Sequence, residues 1–399
     1  MDRLPRRVAA IKRPEPGAKS GKEELVNLIA TASDLAQLGQ TLSSAEVLFL
    51  DTEFESNRSG IELCLLQISD GREIFLVDAI ALRDLTPLAQ AFQRGALWVL
   101  HAGQQDVMLL GERLRLSTRP RVFDTQIAWA LSTVEHSVSL AYAQFRALGL
   151  RGTKAHQADD WVRRPLPPSQ LAYAASDVEH LPELYRFLSQ RLVALGRLDL
   201  APAASAESVW AEAAPPTVLA LESFRNAWQL DHRGQAALRY LIQWFNGLPE
   251  REREQAPENK TLLALAGRLP RSVDDLQRIK GVPRSWSREV SQGLVTGLTR
   301  AAEAADATGF VPIDPPAYAT KAELRVDGWL AAARADVCVS LEVAPELALP
   351  SRIMKGLRSH LTIHGTAQLA EALEGWRKTL LAGPLAQFAL DFPLKSEIS

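Results

Sequence analysis

Val47-Leu48-Phe49-Leu50-Asp51-Thr52-Glu53-Phe54 is the stretch whose reading decides the fold. Its apolar run reads as a buried strand, and the run ends in two carboxylates one residue apart. Side chains at i and i+2 leave the same face of a strand, so Asp51 and Glu53 stand side by side at its end. Like charges that close repel, and the pair is costly unless a cation bridges it or a proton neutralises it. Hard divalent cations such as Mg2+ and Mn2+ take oxygen ligands of this kind. An isolated D-x-E more often marks a strand that surfaces in two solvated acids, so the rest of the chain has to decide.

Two further segments fit the same edge. Leu97-Trp98-Val99-Leu100 reads as a second buried strand, followed by His101-Ala102-Gly103-Gln104-Gln105-Asp106 and a helical pattern through Val107, Leu109, Leu110 and Leu114. Asp106 thus falls in the first helical turn at the rim of a sheet, where an acid also suits the helix dipole. Leu171-Ala172-Tyr173-Ala174-Ala175-Ser176-Asp177 reads as helix, and its spacing puts Tyr173 and Asp177 on one face. Each piece alone has a plain structural reading. Together, in this order, they form a constellation of four acids and a tyrosine.

That order resembles the DEDD superfamily of 3′–5′ exonucleases in its tyrosine-bearing branch, and within it the ribonuclease D family. The resemblance rests on D-T-E-F, H-A-G-x-x-D and Y-A-A-S-D-V, with Phe123-Asp124-Thr125-Gln126 and Trp161-Val162-Arg163-Arg164-Pro165-Leu166 between the second and third. It spans roughly residues 45–190. One stretch departs: where the family carries a Tyr-Tyr-Pro-like segment, this chain has Glu55-Ser56-Asn57-Arg58-Ser59-Gly60-Ile61-Glu62.

The resemblance implies two-metal-ion hydrolysis of phosphodiesters with Mg2+ or Mn2+, releasing nucleoside 5′-monophosphates from a 3′ end. It implies metal ligands Asp51, Glu53, Asp106 and Asp177. Asp51 would bridge both ions. Glu53 and Asp177 would hold the one that presents water, and Asp106 would support the other. Tyr173 would orient the nucleophile. Phe54, His101 and Lys154 are candidate substrate contacts. Asp124, between a short strand and a helix, reads as an N-cap rather than a ligand. Trp161 reads as a core aromatic. The partner expected is RNA with a free 3′ end, such as tRNA precursors. The alternatives are a DNA-directed 3′–5′ exonuclease and a non-catalytic nucleic-acid-binding protein on the same fold.

At 399 residues the chain is too long for one ordinary core. No apolar run is long enough to span a bilayer, and the basic start of the chain has no apolar centre of the kind a secretory signal needs. The two cysteines, Cys64 and Cys338, are far apart in apolar contexts, which suggests reduced thiols in a cytoplasmic protein. No structural zinc is expected. With 45 Lys and Arg against 47 Asp and Glu, phosphate binding would need a local basic face. Candidates are Arg3, Arg6, Arg7, Lys12 and Arg13; Arg113, Arg115, Arg119 and Arg121; and Arg151, Lys154, Arg163 and Arg164.

The fold class expected is α/β. A basic, disordered tail at 1–22 leads into an exonuclease domain at 23–200, with a ribonuclease H-like mixed sheet flanked by helices. A helix is expected near 31–42, and strands at 62–68 and 73–77 flank a Gly-containing turn. Residues 201–216, rich in Ala, Pro and Glu, read as a linker. Two all-α domains then follow at 217–302 and 318–388. Both resemble the HRDC domain, the first through Arg233-Gly234-Gln235 and Leu238 to Trp244, the second through Leu349-Pro350-Ser351 and Gly375-Trp376-Arg377. In the first, Ala236, Leu238, Leu241, Ile242 and Phe245 form the expected apolar stripe.

Overall fold

In the computed structural model of the chain, the apolar runs become a six-stranded sheet in the order β1-β4-β3-β2-β5-β6. Its strands are β1 (Asn27–Ile29), β2 (Val47–Asn57), β3 (Gly60–Ser69), β4 (Ile74–Asp78), β5 (Leu97–Leu100) and β6 (Arg121–Asp124). Strands β2, β3 and β4 are antiparallel neighbours, while β1 pairs with β4, β5 with β2, and β6 with β5 in parallel. The structure describes residues 27–57, 60–93, 95–151, 159–210, 218–253, 256–307, 311–315 and 318–394. The expected tail at 1–22 and the candidate Lys154 lie outside the described residues. No helix among the described residues is long and apolar enough to cross a membrane.

The chain divides into two compact units, Met1–Val209 with Glu342–Ala348, and Trp210–Leu341 with Leu349–Ser399. In the first, the helices around the sheet are α1 (Ala32–Thr41), α2 (Ala89–Gln93), α3 (Gln104–Arg113), α4 (Thr125–Ala130), α5 (Leu140–Leu148), α6 (Pro168–Glu179), α7 (Leu181–Ala194) and α8 (Ala201–Val209). Thr31 caps α1 by accepting from Asp34 N–H, and Leu35 and Leu38 turn inward. Gly39 lies so close to Pro87 that an added Cβ would stand 2.6 Å from its carbonyl oxygen. Leu48, Leu50, Leu66, Ile68, Trp98 and Leu110 are all fully buried. Each such side chain contributes about 1.5–3 kcal/mol over leaving it in water.

The β2–β3 ladder carries one irregularity. Glu53 pairs with Leu65 but Phe54 pairs with Leu63, so β3 holds one extra residue, Cys64, at a β-bulge. The Cys64 carbonyl is not wasted. It accepts from Ala79 N–H at 3.2 Å and from Arg164 Nη2 at 2.9 Å.

The expected linker is partly wrong. Residues 201–209 form α8, and Ser205 Oγ accepts from Asp124 N–H at 2.9 Å. Ala201 and Ala204 are buried, so the Ala-rich composition serves close helix packing. The helix read at Leu171 to Asp177 ends at Glu179, and after His180 a new helix, α7, opens with Pro182 in its first turn. Residues 342–348 belong with the first unit, and Ala344 N–H donates to the Ala130 carbonyl at 2.8 Å.

The second unit is helical: α9 (His232–Gly247), α10 (Glu250–Arg253), α11 (Asn259–Arg268), α12 (Val273–Gln277), α13 (Arg288–Ala307), α14 (Lys321–Ser340), α16 (Ser351–His364) and α17 (Gly375–Asp391), with α15 (Pro345–Ala348) lying in the first unit. Asp231, Ser272 and Thr320 cap α9, α12 and α14. The α9 stripe is Ala237, Leu238, Leu241, Ile242 and Phe245, with Ala237 in the core where Ala236 was expected. It packs with Leu262 and Leu265 of α11 and Leu294 and Leu298 of α13.

Candidate active site

Asp51 and Glu53 sit on one face of β2, and α6 brings Asp177 onto them. One carboxylate oxygen from each of the three lies within 4.8 Å of the others. The structure therefore joins residues 126 positions apart in sequence, counting from Asp51 to Asp177. Asp106, in the first turn of α3, is 8% exposed. Its Oδ1 accepts from Thr52 Oγ1 at 2.5 Å, which fixes the carboxylate beside β2. Thr52 points away from Asp51 and Glu53 by strand alternation, so it ties the fourth acid to the strand that carries the first two.

The electrostatics match the geometry. Burial, then the charges of Asp106, Asp177 and Glu53, raise the Asp51 carboxyl well above its ordinary value. Burial, then Asp177 and Asp106, push Glu53 up to about 8. Burial takes Asp177 up to about 7, against the opposing effect of a hydrogen bond from Tyr173. Asp106 is raised chiefly by burial, while the Thr52 bond pulls it back. Four acids whose carboxyls are all raised by burial, two of them further by neighbouring charges of the same set, form a ready set of oxygen ligands. The donor set is all oxygen, which fits a hard divalent cation.

Tyr173 lies one helical turn before Asp177. Its ring stands 6.3 Å from that of Trp161 at 37°, and Trp161 is buried as expected of a core aromatic. His101 is held on both sides, by Thr125 Oγ1 and the Val138 carbonyl, each at 2.9 Å. Burial lowers its pKa. This is a bracing position for the imidazole. Phe54 follows the bulge and is 36% exposed. Asp124 is the N-cap that the sequence suggests. It accepts from Gln126 and Ile127 N–H, and it also accepts from Ala102 and Gly103 N–H at 3.0 Å each, which holds the turn leading into α3.

Some expected roles do not survive. Arg164, counted in a basic cluster, is committed to the fold. Its Nε meets Asp78 Oδ2 at 2.6 Å and its Nη2 meets Oδ1 at 2.8 Å. Burial alone would raise Asp78, yet the Arg164 hydrogen bonds and the Ala81 amide bring it below its ordinary value. Arg113 donates to the Ala79 and Leu82 carbonyls in the same way. A backbone carbonyl acting as acceptor leaves no mark on sequence, so neither role was visible there. The expectation of no structural zinc rests on the absence of an H-x-x-x-H pair, yet His360 and His364 have that spacing on one helix. Their ring centroids are 4.5 Å apart on α16, but His360 Nε2 meets the Gln368 carbonyl, and among the described residues only Asp51, Glu53 and Asp177 form a group of three possible ligands.

Comparison with known proteins agrees with this geometry. A family model described as 3′–5′ exonuclease matches residues 26–193. The chain is 31% identical to a ribonuclease D of Gluconacetobacter diazotrophicus over 380 residues, covering 88% of this chain and 90% of the relative. It is 29% identical to a ribonuclease D of Pseudomonas paraeruginosa over 364 residues, covering 88% and 94%. The crystal structure of Escherichia coli RNase D, described as an exoribonuclease involved in structured RNA processing, superposes with a TM-score of 0.67 at 24% identity, covering 92% of this chain and all of that one.

Proposed function

This chain belongs to the ribonuclease D family of 3′–5′ exoribonucleases, and from that premise we propose that it trims structured RNA, tRNA precursors among them, with two hard divalent cations at Asp51, Glu53, Asp106 and Asp177. The convergence of the Asp51, Glu53 and Asp177 carboxylates within 4.8 Å carries the reading. When bound, such cations acidify water and stabilise the oxygen that departs from phosphorus. The protein residues do the rest. Asp51, Glu53 and Asp177 supply negative charge that is self-repelling without a cation, so cation binding relieves a cost already present in the fold. Thr52 holds Asp106 in place. Tyr173 touches Asp177, and its hydroxyl is placed to orient a water for attack on the terminal phosphodiester. The P–O3′ bond then breaks, and a nucleoside 5′-monophosphate leaves. Phe54, half-open on β2 beside the bulge in β3, offers a ring on which a base can stack. His101 braces Thr125 and Val138 and has no free nitrogen for the RNA.

The helical unit is proposed to grip the RNA, in two HRDC-like modules near 217–302 and 318–388. A groove of about 760 Å3 along α9 and α13 presents Arg239, Tyr240 and Arg300. Contacts from such arginines to phosphate release counterions, so Arg239→Ala with Arg300→Ala should flatten the salt dependence of RNA binding by roughly one to two units of log–log slope. An unchanged slope would move the grip elsewhere.

The deciding assay incubates the chain with 3′-labelled and 5′-labelled RNA and DNA oligomers in Mg2+, Mn2+ or chelator. Stepwise loss of 5′-monophosphates from RNA, abolished by chelator, is expected. Activity in chelator would remove the cation from the reading, and equal or faster trimming of DNA would change the substrate.

A further inference from the structure

Gln67 lies in β3 directly opposite Asp51 across the antiparallel β2–β3 ladder, with Leu76 of β4 on its other side. Directly opposed residues of an antiparallel pair project from the same face, with Cβ atoms about 4.5–5.5 Å apart. On that face Leu65 and Leu76 pack with Ala174 of α6, the helix that also carries Tyr173 and Asp177. Gln67 is therefore under the active-site helix and beside the central acid.

Its environment is unusual. Gln67 is 0% exposed, and neither its Oε1 nor its Nε2 has a hydrogen-bond partner. Other buried amides are better served. Gln235 in the helical unit donates to the Leu230 carbonyl at 2.9 Å and accepts from Ile313 N–H at 2.7 Å. Gln170 donates to Asp159 at 3.1 Å. Among the buried side-chain amides of the described residues, Gln67 is the one with both polar atoms unpartnered. Burying an unpaired polar group costs about 1–3 kcal/mol, so packing alone favours Leu or Met here.

We propose that Gln67 is a positioning residue for Asp51: its Nε2, unpartnered in the cation-free chain, donates to the Asp51 carboxylate when the cations are bound and holds it in the orientation that grips them. This rests on the reading of Asp51 as a cation ligand. The chemistry suits an amide. An ionised carboxylate accepts at about four lone-pair sites, so it can meet a cation and a donor together. A Lys or Arg at this place would compete with the cation, and an Asp or Glu would add to the repulsion. A neutral donor orients without either effect. Partners that orient metal ligands are worth about 10- to 100-fold in metal affinity.

The test titrates Mn2+ into the full-length chain by calorimetry, for the wild type, Asp51→Asn, Gln67→Met and Gln67→Asn. Melting in chelator and steady-state kinetics on a 3′-labelled RNA accompany it. Gln67→Met should bind Mn2+ about 10-fold more weakly or worse. Its kcat at fixed Mn2+ should fall while KM for RNA holds, and higher Mn2+ should restore it. In chelator it should melt no lower than the wild type, because an unpaired polar group has been removed. Gln67→Asn keeps the amide but withdraws it by one methylene, and should show the same loss. It decides the matter if Gln67→Met does not fold. Wild-type Mn2+ affinity and kcat in a folded Gln67 variant would overturn the proposal and leave Gln67 as packing. If wild type and Asp51→Asn bind Mn2+ alike, the cation reading of Asp51 fails instead, and the two failures are distinct.

Discussion

In the sheet unit, Asp51, Glu53 and Asp177 crowd their oxygens within 4.8 Å, and the charges that act on them are mainly one another's. In the helical unit, charge is handled the opposite way. Arg358 meets Asp327 at 2.6 Å and Glu323 at 3.5 Å, and Lys260 meets Glu258 at 2.6 Å, all at the surface. Exposed pairs of that kind add little to stability and cost little to keep. A half-buried cluster of like charges is different. It opposes folding, so its presence is explained by chemistry and not by stability.

The largest test of that contrast is Asp51→Asn. Turnover should fall by several orders of magnitude, since cations at such a site contribute several kcal/mol to transition-state stabilisation. In chelator the same variant should melt at or above the wild-type temperature, because one repelling charge has gone. Loss of both activity and melting temperature would show Asp51 holding the fold and would break the contrast. Tyr173→Phe comes next. It removes the hydroxyl that reaches Asp177. Its kcat should drop about 10- to 100-fold with KM for RNA unchanged. A rise in KM at constant kcat would make Tyr173 a substrate holder.

A pH series sharpens the contrast further. Glu53 rises from 4.5 to about 8 and Asp177 from 3.8 to about 7 on folding. The folded chain therefore keeps protons that the unfolded chain has released, and the slope of stability against pH is negative between those values. Melting in chelator should fall from pH 5 to pH 8, by a few kcal/mol of stability at most. Saturating Mg2+ should remove the decline. A cation-free melting temperature that climbs over this range would contradict the repulsion. The smallest effect expected is Arg358→Ala in the helical unit, whose melting temperature should move little and not at all in high salt.

Much of the site was legible because it is written in short patterns. D-T-E-F ends a run of apolar residues, Asp106 opens a helix after a strand, and Tyr173 and Asp177 are spaced one turn apart. Each pattern fixes a local direction for a side chain. What was hidden depends on distant partners. Strand β1 has three residues, and nothing in Asn27-Leu28-Ile29 says that it pairs with β4. Ser205 looked like part of a linker because its partner, the Asp124 amide, is 81 residues away. Thr52 reads as filler between two acids until Asp106 arrives from the other side of the strand. Gln67 sits in an apolar run, and only the ladder register places it opposite Asp51.

The bulge at Cys64 separates two registers within one hairpin. Between Glu53 and Leu65 the pairing is anchored, and a single residue gained or lost on the Leu65–Ser69 side would turn Gln67 away from Asp51. Beyond the bulge, Phe54 to Asn57 pair with Leu63 to Gly60 in a register already offset by one. The tip can therefore be rewritten, lengthened or stripped of its aromatics without moving the acids. Glu55 and Glu62 are directly opposed at that end of the hairpin, where like charges add a cost across the strand pair. Changes beyond the bulge leave the pairing of Asp51 with Gln67 in place.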